Sequence, residues 1–170
     1  MQESQSGKPD RLIRDYNLLP HPEGGYYKES YRSPIRIPVD GLAQGFTGER
    51  SLSTAIYFLL LQGNFSAFHR ICSDECWHFY EGDPLWVHII HPDGHCQTIT
   101  LGPGKNAWYQ WVVPAGCWFA SEVAPGGEYA FVGCTVSPGF DFADFELATT
   151  DALVDRYPNH TDLIRRLCRA

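Results

Sequence analysis

The sequence predicts an all-β barrel with short helices at its two ends, and three observations lead there. Aromatic residues make up 14% of the chain and hydrophobic residues 44%, which suits an aromatic-rich β core and excludes a disordered chain. Sixteen glycines and twelve prolines punctuate short apolar or alternating runs through the middle. Helical spacing of apolar residues is confined to the regions near the termini. At 170 residues the chain is one ordinary domain with enough length to bury a core. Its 13 basic and 20 acidic side chains give a net charge of −7, which argues against DNA, RNA or an anionic membrane as partner.

Residues 1–9 read as a disordered start and 10–170 as a single domain, with the barrel over about 24–148 and helices over about 149–169. With Asp10 as N-cap, Leu12, Ile13 and Tyr16 space a short helix that ends before Pro20. The run from His21 to Gly25 turns the chain into a strand over 26–32. Alternation there sets Tyr27, Glu29 and Tyr31 on one face and Tyr26, Lys28 and Arg32 on the other. An inward Glu29 is costly to bury alone, so it calls for a partner or a ligand hydroxyl. Residues 33–50, rich in proline and glycine, read as a loop or edge hairpin over the barrel mouth. Ala55 to Leu61 suits a strand buried on both faces, and no run of 18 apolar residues offers a membrane span.

The next stretch carries the chemistry. Two strands, 65–71 and 76–81, are joined by a Ser73-Asp74 turn, and alternation points Ala67, His69 and Ile71 to one face. His69 and Glu75 can then converge inside. An imidazole has an intrinsic pKa of about 6.5 and so exchanges protons at cellular pH; Glu75, Glu29 or Asp141 could orient it. A strand from Pro84 to Ile90 follows, and His88, His91 and His95 around the next turn read as surface residues. Trp108, Gln110 and Trp111 form an aromatic strand, and Pro114-Ala115-Gly116 turns into Trp118-Phe119. Such rings can wall a pocket for a planar group. After a strand over 129–136, residues 137–146 bring Asp141, Asp144 and Glu146 close together. The end is helical again, in two short helices around Pro158, with Arg165, Arg166 and Arg169 near the terminus.

The six cysteines read as free thiols in a reducing compartment, the cytoplasm, because the first residues are polar and do not resemble a signal peptide. Cys72, Cys76, His69 and His78 lack the paired spacing of a zinc site.

Gly63, five residues, His69, one residue, Ile71, three residues, Glu75, six residues and Gly82 together resemble the first cupin motif, whose usual form has histidines at both the 69 and 71 positions. Trp108 through Phe119 resembles the second motif, with Phe119 in place of its metal-binding histidine and Val123 in place of its final asparagine. The runs from His21 to Arg32, Ser73 to Tyr80, Val113 to Gly116 and Gly133 to Phe142 resemble one branch, the cupins catalogued as domain of unknown function 985. The resemblance implies a double-stranded β-helix or jelly-roll barrel, usually dimeric, close in shape to dTDP-4-dehydrorhamnose 3,5-epimerase-type cupins. Two of the four usual metal ligands are replaced, so no cofactor is expected, although a divalent metal held by other ligands stays open.

The expected partner is a small polar ligand, a nucleotide such as a nucleoside diphosphate or a nucleotide-linked sugar. His69, Glu75 and Tyr27 are the acid/base candidates for epimerase or isomerase chemistry. Lys28, Arg32 and Arg70 suit phosphate. Glu29, Tyr31, Trp77, Gln110, Phe119 and Asp141 complete the expected lining. Two alternatives remain, a binding module without turnover and a metal-dependent oxygenase or isomerase.

Overall fold

The computed structural model describes residues 7–169. In chain order its elements begin with α1 (Lys8–Asp15), β1 (Leu19–Pro20), β2 (Tyr26–Arg32), β3 (Arg36–Ile37), β4 (Arg50–Ser51), β5 (Thr54–Leu61), β6 (Phe65–Arg70) and β7 (Asp74–Gly82). They continue with β8 (Leu85–Ile90), β9 (Cys96–Leu101), β10 (Gln110–Val113), β11 (Trp118–Val123), β12 (Tyr129–Ser137), β13 (Glu146–Leu147), α2 (Thr150–Arg156) and α3 (Thr161–Leu167). One sheet has the order β1-β2-β5-β12-β7-β10 and the other β13-β6-β11-β8-β9, all antiparallel. Inward residues of both, among them Phe58, Leu60, Trp77, Val87, Ile89, Phe119 and Val132, fill the space between them. This is the jelly-roll barrel that the alternating runs predict.

The centre of the first sheet is β5, and it lies between β2 and β12. Phe58, Leu59 and Leu60 are buried on both of its faces, as the unbroken apolar run requires. Part of each outer face is covered by a terminal helix. Leu12 and Ile13 of α1 pack over Leu59, Tyr129 and Phe131, while Leu153, Ile164 and Leu167 of α2 and α3 cover Phe68, Ile90 and Trp118. The two C-terminal helices flank a 3-10 turn at Pro158–His160, where a proline interrupts the helical hydrogen bonds.

Several boundaries differ from expectation. α1 starts at Lys8, with Pro9 at its first positions and Asp10 inside the first turn, because proline lacks the N–H that a helix start leaves unpaired. The expected disorder of residues 1–6 lies outside the described residues. β7 begins at Asp74 rather than at the expected residue 76, so Asp74 and Glu75 both belong to the strand. Segment 33–50 forms the two-stranded ribbon of β3 and β4, tied down by the buried Arg50–Asp144 ion pair.

Two β-bulges re-aim the site residues. Between β6 and β11, Phe119 pairs with His69 and Ser121 with Ser66, so Ala67 and Phe68 together oppose Ala120. Between β2 and β5, Glu29 pairs with Ile56 and Tyr31 with Ala55, so Ser30 is the extra residue. Each inserted residue reverses the inside and outside assignment that simple alternation gives beyond it.

Candidate functional site

A cavity of about 400 Å³ opens at one end of the barrel. A ring of aromatic contacts lies behind its inner wall: His69 against Phe119 at 4.1 Å between centroids, Phe119 against Trp77 at 6.3 Å, Trp77 against Phe58 at 6.0 Å and Phe58 against His21 at 6.2 Å. These rings, edge-on except for the tilted His69–Phe119 pair, fill the barrel behind the site and pack against both histidines.

Glu23 is the residue around which the inner wall is built. It sits in the turn before β2, 6% exposed, with Oε2 3.0 Å from His69 Nε2 and Oε1 accepting from the Ser66 hydroxyl at 2.8 Å. Ser66 and His69 are three apart on β6 and would face opposite ways on a regular strand; the bulge between them turns both toward Glu23. The bulge backbone serves as well. Ala67 N–H donates to the Glu23 carbonyl at 2.8 Å, and the Ala67 carbonyl accepts from His69 Nδ1 at 2.7 Å. Ala67 therefore contributes main chain to the site, where alternation had pointed its side chain inward.

These contacts settle the protons. A carbonyl oxygen only accepts, so His69 Nδ1 carries the ring hydrogen and Nε2 offers a lone pair to Glu23. Burial lowers the His69 pKa and raises that of Glu23, which favours the uncharged pair with the carboxylic O–H donating to Nε2. Both ring nitrogens of His69 are then engaged.

Glu75, 8% exposed, lines the same cavity. Burial pushes its pKa up to about 7, against an opposing pull from His69. The Cys134 thiol is its hydrogen-bonding neighbour, and burial beside that carboxyl raises the thiol well above its usual range, so it stays protonated. All six cysteines are free thiols.

The mouth is polar and charged. The bulge at Ser30 brings Arg32 to the side of Glu29: its Nε and Nη2 donate to the two carboxylate oxygens at 3.0 and 2.8 Å, and Nη2 also to the Phe140 carbonyl at 3.1 Å. Lys28, Asp141 and the rings of Phe140 and Phe142 share this rim. Residues 33–50 do not line the cavity, so the segment covering the mouth is 140–142 rather than the expected loop.

Of the residues singled out from sequence, His69, Glu75, Tyr27, Lys28, Glu29, Arg32 and Asp141 meet at this cavity. Five do not. Tyr31 is turned outward by the bulge and is 52% exposed. Arg70 pairs with Glu146 at 2.6 Å and lies over the Trp118 ring, because β13 adds to the edge of β6 there. Trp77 and Phe119 are core residues behind the wall, and the Trp77 indole N–H has no partner. Gln110 is exposed on the edge strand β10 and donates to Cys76 Sγ. The three acids of 137–146 separate: Asp141 caps Ala143 N–H, Asp144 meets Arg50 and Glu146 meets Arg70. His88, expected at the surface, is buried between Thr98 and Glu122 beneath the C-terminal helix region.

Sequence reasoning missed Glu23 and His21, both in the turn His21-Pro22-Glu23-Gly24-Gly25. Their signal was available. Gly24 has φ +115°, and a Cβ there would collide with the Phe65 carbonyl and the Arg169 guanidinium, so the turn is pressed against β6. Arg169 closes it from the C-terminus, donating to the carbonyls of Glu23 and Phe65 at 3.1 and 2.9 Å and to Asn64 Oδ1 at 2.9 Å. Among the described residues, no group of three or more His, Cys, Asp or Glu side chains is placed to hold a metal ion, and no helix is long and apolar enough to cross a membrane.

Residues 10–148 match a family model described as the cupin superfamily (DUF985). The chain is 35% identical over 145 residues to the uncharacterized protein YML079W of Saccharomyces cerevisiae, covering 79% of this chain and 72% of that one. A hypothetical protein from Leishmania major superposes with TM-score 0.86 at 35% identity over 95% of this chain and 98% of its own. Protein SO0799 from Shewanella oneidensis does so with TM-score 0.83 at 39% identity over 99% of each chain. Oxalate decarboxylase from Bacillus subtilis shares the fold alone, at 15% identity and TM-score 0.54 over 91% of this chain and 37% of that one.

Proposed function

The chain belongs to the DUF985 family of the cupin superfamily, and from that premise we propose that its cavity binds a nucleoside diphosphate or nucleotide-linked sugar and moves a proton on the sugar portion without a metal. The observation that carries this reading is Glu75, a buried carboxyl pushed up to about pKa 7 that faces a largely apolar cavity beside a neutral Glu23–His69 pair. A group poised near neutral pH can both release and take up a proton, which is the requirement of general acid/base catalysis. Glu75 is the exchanging group, the Glu23–His69 pair an adjoining proton reservoir, and Tyr27 the hydroxyl available from the neighbouring strand.

The remainder of the ligand is recognised at the mouth. Lys28 and Arg32 suit a diphosphate, Arg32 by exchanging its contact with Glu29 for one with phosphate. The rings of Phe140 and Phe142 suit a base. The usual cupin metal set does not fit these residues. Ile71 and Phe119 offer no ligand atoms, and His69 spends both ring nitrogens within the protein. The same reading takes the protein as a cytoplasmic homodimer, supported by its free thiols and by the habit of the fold. The engagement of both His69 nitrogens favours a second reading, a binding module with no turnover.

A thermal-shift series on chelator-treated protein tests this, with nucleoside diphosphates, nucleotide sugars, free sugars and divalent metals. A native-state ligand raises the midpoint in a concentration-dependent way. Deuterium exchange into the sugar then separates catalysis from binding: Glu75→Gln should abolish exchange and leave binding. Binding with no exchange in the wild type supports the second reading. A shift from metals alone, lost in His69→Ala, overturns both.

A further inference from the structure

The cavity wall holds a nucleophile that proton transfer on a sugar leaves idle. Cys134 of β12 lies in register between Ile56 of β5 and Trp77 of β7. It is 3% exposed, belongs to the inward cluster and lines the cavity of about 400 Å³. Glu75 stands opposite Val136 on the neighbouring strand, one diagonal from Cys134, so the inward carboxyl and the inward thiol come within hydrogen-bonding reach. The side chains of Ile56, Ile71 and Val136 give this part of the lining an apolar surface. A thiol with a carboxyl beside it is a nucleophile provided with its own base, the pairing that covalent catalysis uses.

We propose that the cavity takes up a short aliphatic aldehyde and holds it on Cys134 as a hemithioacetal, with Glu75 moving the proton. This activity goes beyond nucleotide binding and stands independently of it. The Glu75 carboxylate accepts the thiol proton as the sulfur–carbon bond forms, and the carbonyl π pair moves onto oxygen. The same carboxyl then gives that proton to the new oxygen. Thiol and aldehyde become one neutral adduct and the carboxylate is restored, so no oxidant, reductant or further reactant is consumed. Reversal releases the aldehyde. Burial keeps the thiol in its S–H form, so attack by sulfur requires a base in the same step. Glu75, pushed up to about 7, is present in good part as carboxylate at neutral pH. Burial also penalises lasting charge, which favours an addition that begins and ends neutral over acyl transfer, whose intermediate needs donors for an oxyanion. The side chains of Ile56, Ile71 and Val136 supply no such donor, and they suit an alkyl chain rather than a hydroxylated one.

The probe is propanal labelled with carbon-13 at its carbonyl, followed by carbon NMR on the whole protein. Propanal carries neither base nor phosphate, so its outcome is distinguishable from that of the nucleotide screen. At pH 7 the wild type should give a saturable, protein-bound hemithioacetal signal. Cys134→Ala should lose it, and so should the near-isosteric Cys134→Ser, which remains informative where the alanine variant fails to fold. Cys76→Ala, on the outer face of the sheet, should keep it. Glu75→Gln should slow its appearance by about 100-fold, while the adduct still forms at long times. The wild-type rate should rise with pH through about 7 and the Glu75→Gln rate should not, a profile that a merely structural Glu75 would not produce. Absence of a bound signal in the wild type overturns the proposal, as does a signal that survives in both Cys134 variants. Adduct formation in Glu75→Gln at the wild-type rate overturns it as well.

Discussion

Replacing Glu75 by glutamine swaps one oxygen for nitrogen in the cavity wall and removes a titration with it. The folded carboxyl holds its proton up to about pH 7, whereas the ordinary value, appropriate to the unfolded chain, is 4.5. Between those values the folded state binds more protons than the unfolded state. The Glu75 contribution is therefore fully present below pH 4.5, is lost as pH rises, and is gone above about 7. At about 1.4 kcal/mol per pH unit the interval is worth about 3 kcal/mol. Glutamine does not titrate. In urea denaturation from pH 4.5 to 8.5, the stability of Glu75→Gln relative to wild type should improve by about 3 kcal/mol as pH rises. Glu23, His21 and His69 titrate in both proteins and largely cancel in the difference. Two curves that stay parallel within about 0.5 kcal/mol would refute the buried, protonated Glu75 and with it the acid/base reading.

Other substitutions probe the rest of the site. Glu23→Gln keeps a donor for His69 Nε2, so it should cost less than about 1 kcal/mol at pH 7 by urea melts, whereas a charged Glu23–His69 pair would lose about 3–5 kcal/mol. Gly24→Ala forces a Cβ into the Phe65 carbonyl at positive φ and should destabilise by about 1–3 kcal/mol, measured by the thermal midpoint. Arg169→Ala removes three hydrogen bonds that hold the Glu23 turn, so the His69 ring signals should shift and broaden in NMR while Arg165→Ala leaves them unchanged. Trp77→Phe deletes an indole N–H that has no partner, so it should cost less than the about 3 kcal/mol at the low end for large truncations of a buried aromatic ring.

His69 and Glu75 were legible because they lie on consecutive strands joined by a tight turn, where spacing alone brings them together. Arg70 was not, since its partner Glu146 lies 76 residues later on β13, and that this short strand adds to the edge of β6 is written in the local pattern of neither segment. His88 misled for a related reason: a histidine near a Pro-Asp-Gly turn reads as exposed until Thr98, Glu122 and the C-terminal helix enclose it.

By itself the sequence determined the barrel, its central apolar strand, its terminal helices and the strand–turn–strand that carries the inward histidine and carboxylate. These follow from local periodicity and turn chemistry, which each short segment expresses regardless of its distant neighbours. Only the tertiary structure decided which acid meets His69. Glu23 lies 46 residues earlier, in a turn pressed against β6 by Arg169 from the other end of the chain. The structure also decided the faces of Tyr31, Arg32, Ser66 and Ala67. A one-residue bulge reverses alternation, and its position depends on how two strands align, a property of the pair that neither strand carries alone.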